Sequence, residues 1–147
     1  MVKQNPYGKV PVLINDNGVI FESAVINEYL DEKFPQIRLM PSDFLKRSKV
    51  RIWVDFMNTR VHPTGSDLQK DREPGKARVR MDQHLRALDD ALIGQDYLVG
   101  EYSLADVTFI PFYTRRERYK VAIDDNYPNL RRWAESLIAR PQVAKTL

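Results

Sequence analysis

At 147 residues, with 43% hydrophobic and 29% charged side chains, the chain can bury a core and has the balance of a soluble globular protein. The absence of cysteine excludes disulfides, thiolate chemistry and cysteine-bound metal within this chain, and His62 and His84 lie too far apart for local zinc spacings. A net charge of +3, spread over 23 basic and 20 acidic residues, pulls only weakly toward anionic partners; no apolar run approaches the roughly 18 residues of a membrane span, and Met1 to Pro6 lacks a signal-peptide core, so a cytoplasmic location is expected.

Lys9 to Ile14 is an apolar, β-branched run that predicts a strand. Asn15-Asp16-Asn17-Gly18 supplies turn residues that tolerate positive φ, and Val19-Ile20-Phe21 resumes the apolar run, so the pair predicts a β-hairpin. Pro11 interrupts the first strand and cannot donate to a ladder, which places it at an edge or a bulge. From Ser23 the pattern turns helical, with Val25, Ile26, Tyr29 and Leu30 spaced to fall on one face before Phe34-Pro35 stops the helix. Pro35 to Pro41 reads as a linker.

Every long segment beyond it predicts helix. Val50, Trp53, Val54, Met57 and Val61 follow helical spacing and are expected to end before Pro63 and Gly65. Met81, Leu85, Leu88 and Leu92 share a face between Pro74-Gly75 and Gly94. Ser103 with Asp106 three positions on is a capping pair for the next helix. Leu130, Trp133, Ala134, Leu137 and Ile138 mark a last helix between Tyr127-Pro128 and Pro141. Trp53 and Trp133 both fall on apolar faces and are expected to be largely buried.

Three stretches, Asn5-Pro6-Tyr7-Gly8-Lys9-Val10-Pro11-Val12-Leu13, Phe21-Glu22-Ser23-Ala24-Val25-Ile26 and Tyr97-Leu98-Val99-Gly100-Glu101-Tyr102-Ser103-Leu104-Ala105-Asp106, together resemble the glutathione transferases in order and spacing. The resemblance implies an α/β plus all-α fold. Residues 1–36 would be the C-terminal half of a thioredoxin-like glutathione-binding domain, a β-hairpin and a helix, and residues 42–147 an all-helical C-terminal domain. It also implies glutathione as the cofactor, a small electrophilic substrate and a homodimer.

On this resemblance the Val10-Pro11 bond is cis and leaves the Val10 peptide groups free to grip an extended peptide as an added strand would. Glu22 and Ser23 then stand at a helix N-terminus suited to the γ-glutamyl carboxylate, with Glu22 attracting the neighbouring ammonium. Lys9 would pair with the glycyl carboxylate. From the residues alone other roles stay open: a trans edge proline at Pro11, a simple helix cap at Ser23, a solvated surface charge at Lys9. Ser103 and Asp106 resemble the family's buried capping box, a folding element rather than a catalytic one.

No residue of this sequence matches the family's catalytic Ser, Tyr or Cys, which the resemblance places in an upstream βαβ unit of roughly 30 residues. Whether Met1 is the natural start is open, and an uncovered hairpin edge is expected to be met by a missing segment or a partner. The electrophile site is expected between the two parts, with Arg60, His62, Phe109, Phe112 and Tyr113 as candidates and Tyr113, Arg116 and Tyr119 as the more polar ones facing a cleft. The alternative function is a non-catalytic binding protein of the same fold: Phe21-Glu22-Ser23, Glu28 to Pro35 and Leu39-Met40-Pro41 look like the RNA polymerase-associated stringent starvation protein A group. Arg115, Arg116, Arg118 and Lys120 form a basic run, but Glu117, Asp124 and Asp125 interrupt it, and nucleic-acid binding is not expected.

Overall fold

A computed structural model of the protein describes residues 5–146, so the ends of the two expected units, residues 1–4 and 147, lie outside the described residues. The chain opens with an antiparallel hairpin, β1 (Val12–Asn15) and β2 (Gly18–Phe21), in the register Val12↔Phe21 to Asn15↔Gly18. β1 is shorter than the expected Lys9 to Ile14: Pro11 has no N–H to give, and the ladder begins only after it. Of the four turn residues only Gly18 takes positive φ, and Asn15 shapes the turn by accepting from the Asn17 N–H at 2.9 Å.

Helix α1 (Ser23–Lys33) packs back on the hairpin, and the Asn15 amide donates to the Tyr29 hydroxyl at 2.6 Å. Ile26 is buried and Tyr29 and Leu30 are half-buried, whereas Val25 is 54% exposed; Glu28 reaches across to the helical part, where Arg51 donates to both its carboxylate oxygens. The stretch read as a linker is docked rather than loose. Buried Asp31 accepts from the N–H groups of Leu39 and Met40, and the Leu104 N–H donates to the Leu39 carbonyl at 3.1 Å. A buried carboxylate needs such donors, and here they tie the first helix to the helical part.

The helical part comprises α2 (Phe44–Phe56), a π-helical turn at Met57–Val61, α3 (His62–Gln69), α4 (Pro74–Ala91), α5 (Leu104–Arg115), α6 (Pro128–Ile138) and the short α7 (Pro141–Ala144). The expected stop before Pro63 does not occur. The wider π turn, in which the His62 N–H reaches back to the Met57 carbonyl, delivers Pro63 into the first turn of α3, where its missing N–H and its ring are tolerated.

Met81, Leu85, Leu88 and Leu92 are all buried and meet Phe109, Phe112, Leu130 and Leu137 in one core. Trp133 is fully buried against Phe109, with ring centroids 4.5 Å apart, whereas Trp53 is only half-buried and stands edge-on to Phe56 at the margin. The capping box forms as expected: Ser103 Oγ accepts from the Ala105 N–H, and Asp106 Oδ2 accepts from the Ser103 N–H at 2.8 Å.

Candidate functional site

The hairpin register brings the candidate residues together. Val12 pairs with Phe21, so the residues just before β1 and just after β2, Val10-Pro11 and Glu22-Ser23, emerge at the same open end of the hairpin. The Val10-Pro11 peptide is cis, as the resemblance implies. Val10 is 74% exposed, and no backbone hydrogen bond to any described residue engages it. Its N–H and C=O are therefore available to an extended ligand.

Asn5, unassigned by sequence reasoning, holds the loop in place. It is almost wholly buried; its amide donates to the Lys9 carbonyl at 2.7 Å, its Oδ1 accepts from the Tyr7 N–H at 2.9 Å, and its carbonyl accepts from the Gly8 N–H at 2.9 Å. Asn-Pro-Tyr-Gly is a turn signature, with Asn first, Pro second and Gly last, and that signal was present in the sequence. The Lys9 side chain itself is exposed and forms no ion pair with a described residue.

Glu22 adopts φ 71 and ψ 117, a region that a residue with a side chain occupies only at a cost, and such outliers concentrate at functional positions. It is the residue preceding the first turn of α1, and no side chain caps that helix. Ser23 is therefore not the cap: it is the first helical residue, exposed, with its hydroxyl unbonded to any described residue. The first backbone bond of α1 runs from the Ile26 N–H to the Glu22 carbonyl at 2.9 Å, which leaves the amides of Ser23, Ala24 and Val25 pointing outward. An open helix N-terminus with a hydroxyl beside it attracts a carboxylate.

The candidates for a second substrate divide. Phe109, Phe112 and Tyr119 are core residues; Tyr119 was expected to face a cleft, but its ring stacks on Phe112 at 5.7 Å and covers Gly65. Tyr113 and Arg116 do border a surface cavity of about 310 Å³ with Thr114 and Ile138, the guanidinium lying 4.2 Å from the Tyr113 ring centre. His62 is half-buried and edge-on to Phe112, and burial holds its imidazole below the ordinary value, aided by the Arg115 charge. Arg60 is exposed on the π turn.

Comparison with known proteins agrees in both halves. Residues 1–32 match the glutathione S-transferase N-terminal domain and residues 52–141 the glutathione S-transferase C-terminal domain. A curated relative, glutathione S-transferase U25 of Arabidopsis thaliana, is 30% identical over all of this chain and 71% of its own length. A Methylococcus capsulatus glutathione transferase is 28% identical with a TM-score of 0.87, over 98% of this chain and 74% of that one. A Burkholderia graminis glutathione transferase, solved with two glutathione molecules bound per subunit, is 27% identical with a TM-score of 0.81, over 98% of this chain and 68% of that one.

Proposed function

The chain belongs to the glutathione S-transferase family, and from that premise we propose that the open end of its hairpin holds glutathione for transfer to a small electrophile. One observation carries the reading: the unpaired Val10 peptide and the strained Glu22-Ser23 entry into α1 stand side by side. The Val10 N–H and C=O pair with the cysteinyl part of the tripeptide as a short added strand. Ser23 Oγ and the α1 amides take the γ-glutamyl carboxylate, Glu22 attracts the adjacent ammonium, and Lys9 meets the glycyl end.

Residues 1–36 then act as half of a thioredoxin-like unit and residues 42–147 as the helical unit. The electrophile is placed toward the π turn and α5, near His62 and Tyr113. Two copies associate through outward apolar side chains such as Val25 on α1 and Phe44 on α2.

Chemistry requires a thiolate. A free thiol near pKa 8.5 is mostly protonated at neutral pH, so a donor aimed at the sulfur is needed to stabilise the anion. None of Lys9, Val10, Glu22 and Ser23 has that role, and we assign it to a segment upstream of the hairpin. The test compares glutathione conjugation of an electrophilic aromatic substrate by this chain and by a version extended with an upstream βαβ unit. The proposal expects glutathione binding by both and conjugation only by the extended form. Full activity of the 147-residue chain would displace the assignment of the thiolate donor. Binding of a protein partner in place of any conjugation by the extended form would favour a non-catalytic role.

A further inference from the structure

A second cavity, of about 180 Å³, opens between α3, α4 and the loop leading to α6, on elements that contribute none of Val10, Glu22 or Ser23. Its floor is formed by the buried side chains of Leu68, Met81 and Leu85. Arg78, Asp82, Lys120 and Tyr127 also line it. Asp82 is already engaged on both oxygens: the Tyr127 hydroxyl donates to Oδ1 at 2.6 Å and the Arg86 Nε–H to Oδ2 at 2.9 Å. Arg78 and Lys120 form no ion pair with any described residue.

The backbone at Lys120 supplies the second observation. After α5 the chain closes with the Lys120 N–H donating to the Glu117 carbonyl at 3.0 Å and the Val121 N–H to the Arg116 carbonyl at 2.9 Å. That pair of bonds is the Schellman closure, with Lys120 at the left-handed position, φ 54. Glycine is the usual occupant there because a Cβ is disfavoured at positive φ. A lysine where glycine is the usual occupant adds a second cation to the lining that holds Arg78, over an apolar floor.

We propose that this cavity binds a small aromatic monoanion of benzoate size. The carboxylate meets the Arg78 guanidinium and the Lys120 ammonium, and the ring rests on Leu68, Leu85 and the Met81 thioether, a sulfur that packs well against aromatic edges. The volume lies below the roughly 300 Å³ where drug-sized sites begin, which restricts the ligand to about one ring. Asp82, although paired with Arg86, disfavours a second negative charge.

Sodium benzoate is the probe, titrated into the full chain labelled with ¹³C at its methionine methyls. The expected result is a saturable shift of Met81 while Met40 and Met57, buried elsewhere in the core, stay in place. Benzamide, of the same shape without the charge, should shift Met81 at least about tenfold more weakly, as should benzoate with Arg78→Gln, since a charge-assisted bond is lost in each case. Lys120→Gly is the sharpest variant, because it relieves the backbone and removes the cation. It should melt at a higher temperature than wild type and bind benzoate at least about tenfold more weakly. Equal binding of benzoate and benzamide, wild-type affinity in Lys120→Gly, or Met40 and Met57 shifting in step with Met81 would each overturn the proposal.

Discussion

The buried carboxylate of Asp106 accepts from the indole N–H of Trp133 at 3.0 Å, joining the cap of α5 to the inner face of α6. The same carboxylate accepts from the Leu98 N–H and from both the N–H and the hydroxyl of Ser103. Burial pushes its pKa up, and these four donors pull against that shift. Asp106→Asn turns one acceptor oxygen into a donor facing donors. It should lower stability by about 2–4 kcal/mol, measured by urea unfolding, and the loss should be smaller once Trp133→Phe has removed the indole donor. Additive losses would show that the two residues do not act through this bond.

A tight contact across the core gives a second prediction. A Cβ at Gly65 would sit 3.0 Å from Tyr119 Cδ2, and the Tyr119 ring is held by its stacking on Phe112. Gly65→Ala should lower stability by about 1–3 kcal/mol through overpacking, and Tyr119→Leu in the same chain should recover part of that loss. A neutral Gly65→Ala would mean that the ring yields freely.

Acid sensitivity should come from the two histidines. Burial holds both imidazoles below their ordinary value of 6.5, helped by Arg115 near His62 and by Arg60 and Arg80 near His84. The unfolded chain then binds protons more readily than the folded one, so stability is fully present above about pH 6.5 and is lost as pH falls through the folded values. Urea midpoints should fall as pH is lowered below about 6.5, and His62→Gln, at the more buried site, should flatten the profile more than His84→Gln. Equal slopes in wild type and both variants would contradict this.

Backbone strain at Glu22 makes a fourth, opposed pair of effects. With φ 71, Glu22→Gly should leave stability unchanged or raise it by up to about 1 kcal/mol, while weakening glutathione binding through loss of the carboxylate proposed to attract the γ-glutamyl ammonium. A destabilised variant with unchanged binding would make Glu22 a structural residue.

Much of the architecture was legible where local pattern and packing agree. Met81, Leu85, Leu88 and Leu92 repeat at helical spacing and are all buried, and Ser103 and Asp106 carry their own hydrogen-bond chemistry. Pro63 does not end the helix as a proline normally would, because it follows a π turn that carries the buried Met57 and Val61 and has no local signal in the sequence. Tyr119 departs from the expectation for a related reason: its neighbours from Arg115 to Lys120 are polar, while its ring stacks on Phe112 and covers Gly65, which is distant in sequence. At the candidate site the residue types were readable. The positive φ of Glu22 and the burial of Asn5 required the hairpin and loop to be in place.

Calorimetric titration of glutathione into the wild-type chain and Ser23→Ala, with a thermal melt of each, tests the central claim most directly. The Ser23 hydroxyl bonds to no described residue and caps nothing, so its removal should leave the melting temperature unchanged and weaken glutathione binding by about tenfold or more. A wild-type chain that does not bind glutathione, or a Ser23→Ala variant that binds as well as wild type but melts at a lower temperature as a lost helix cap would, contradicts the account.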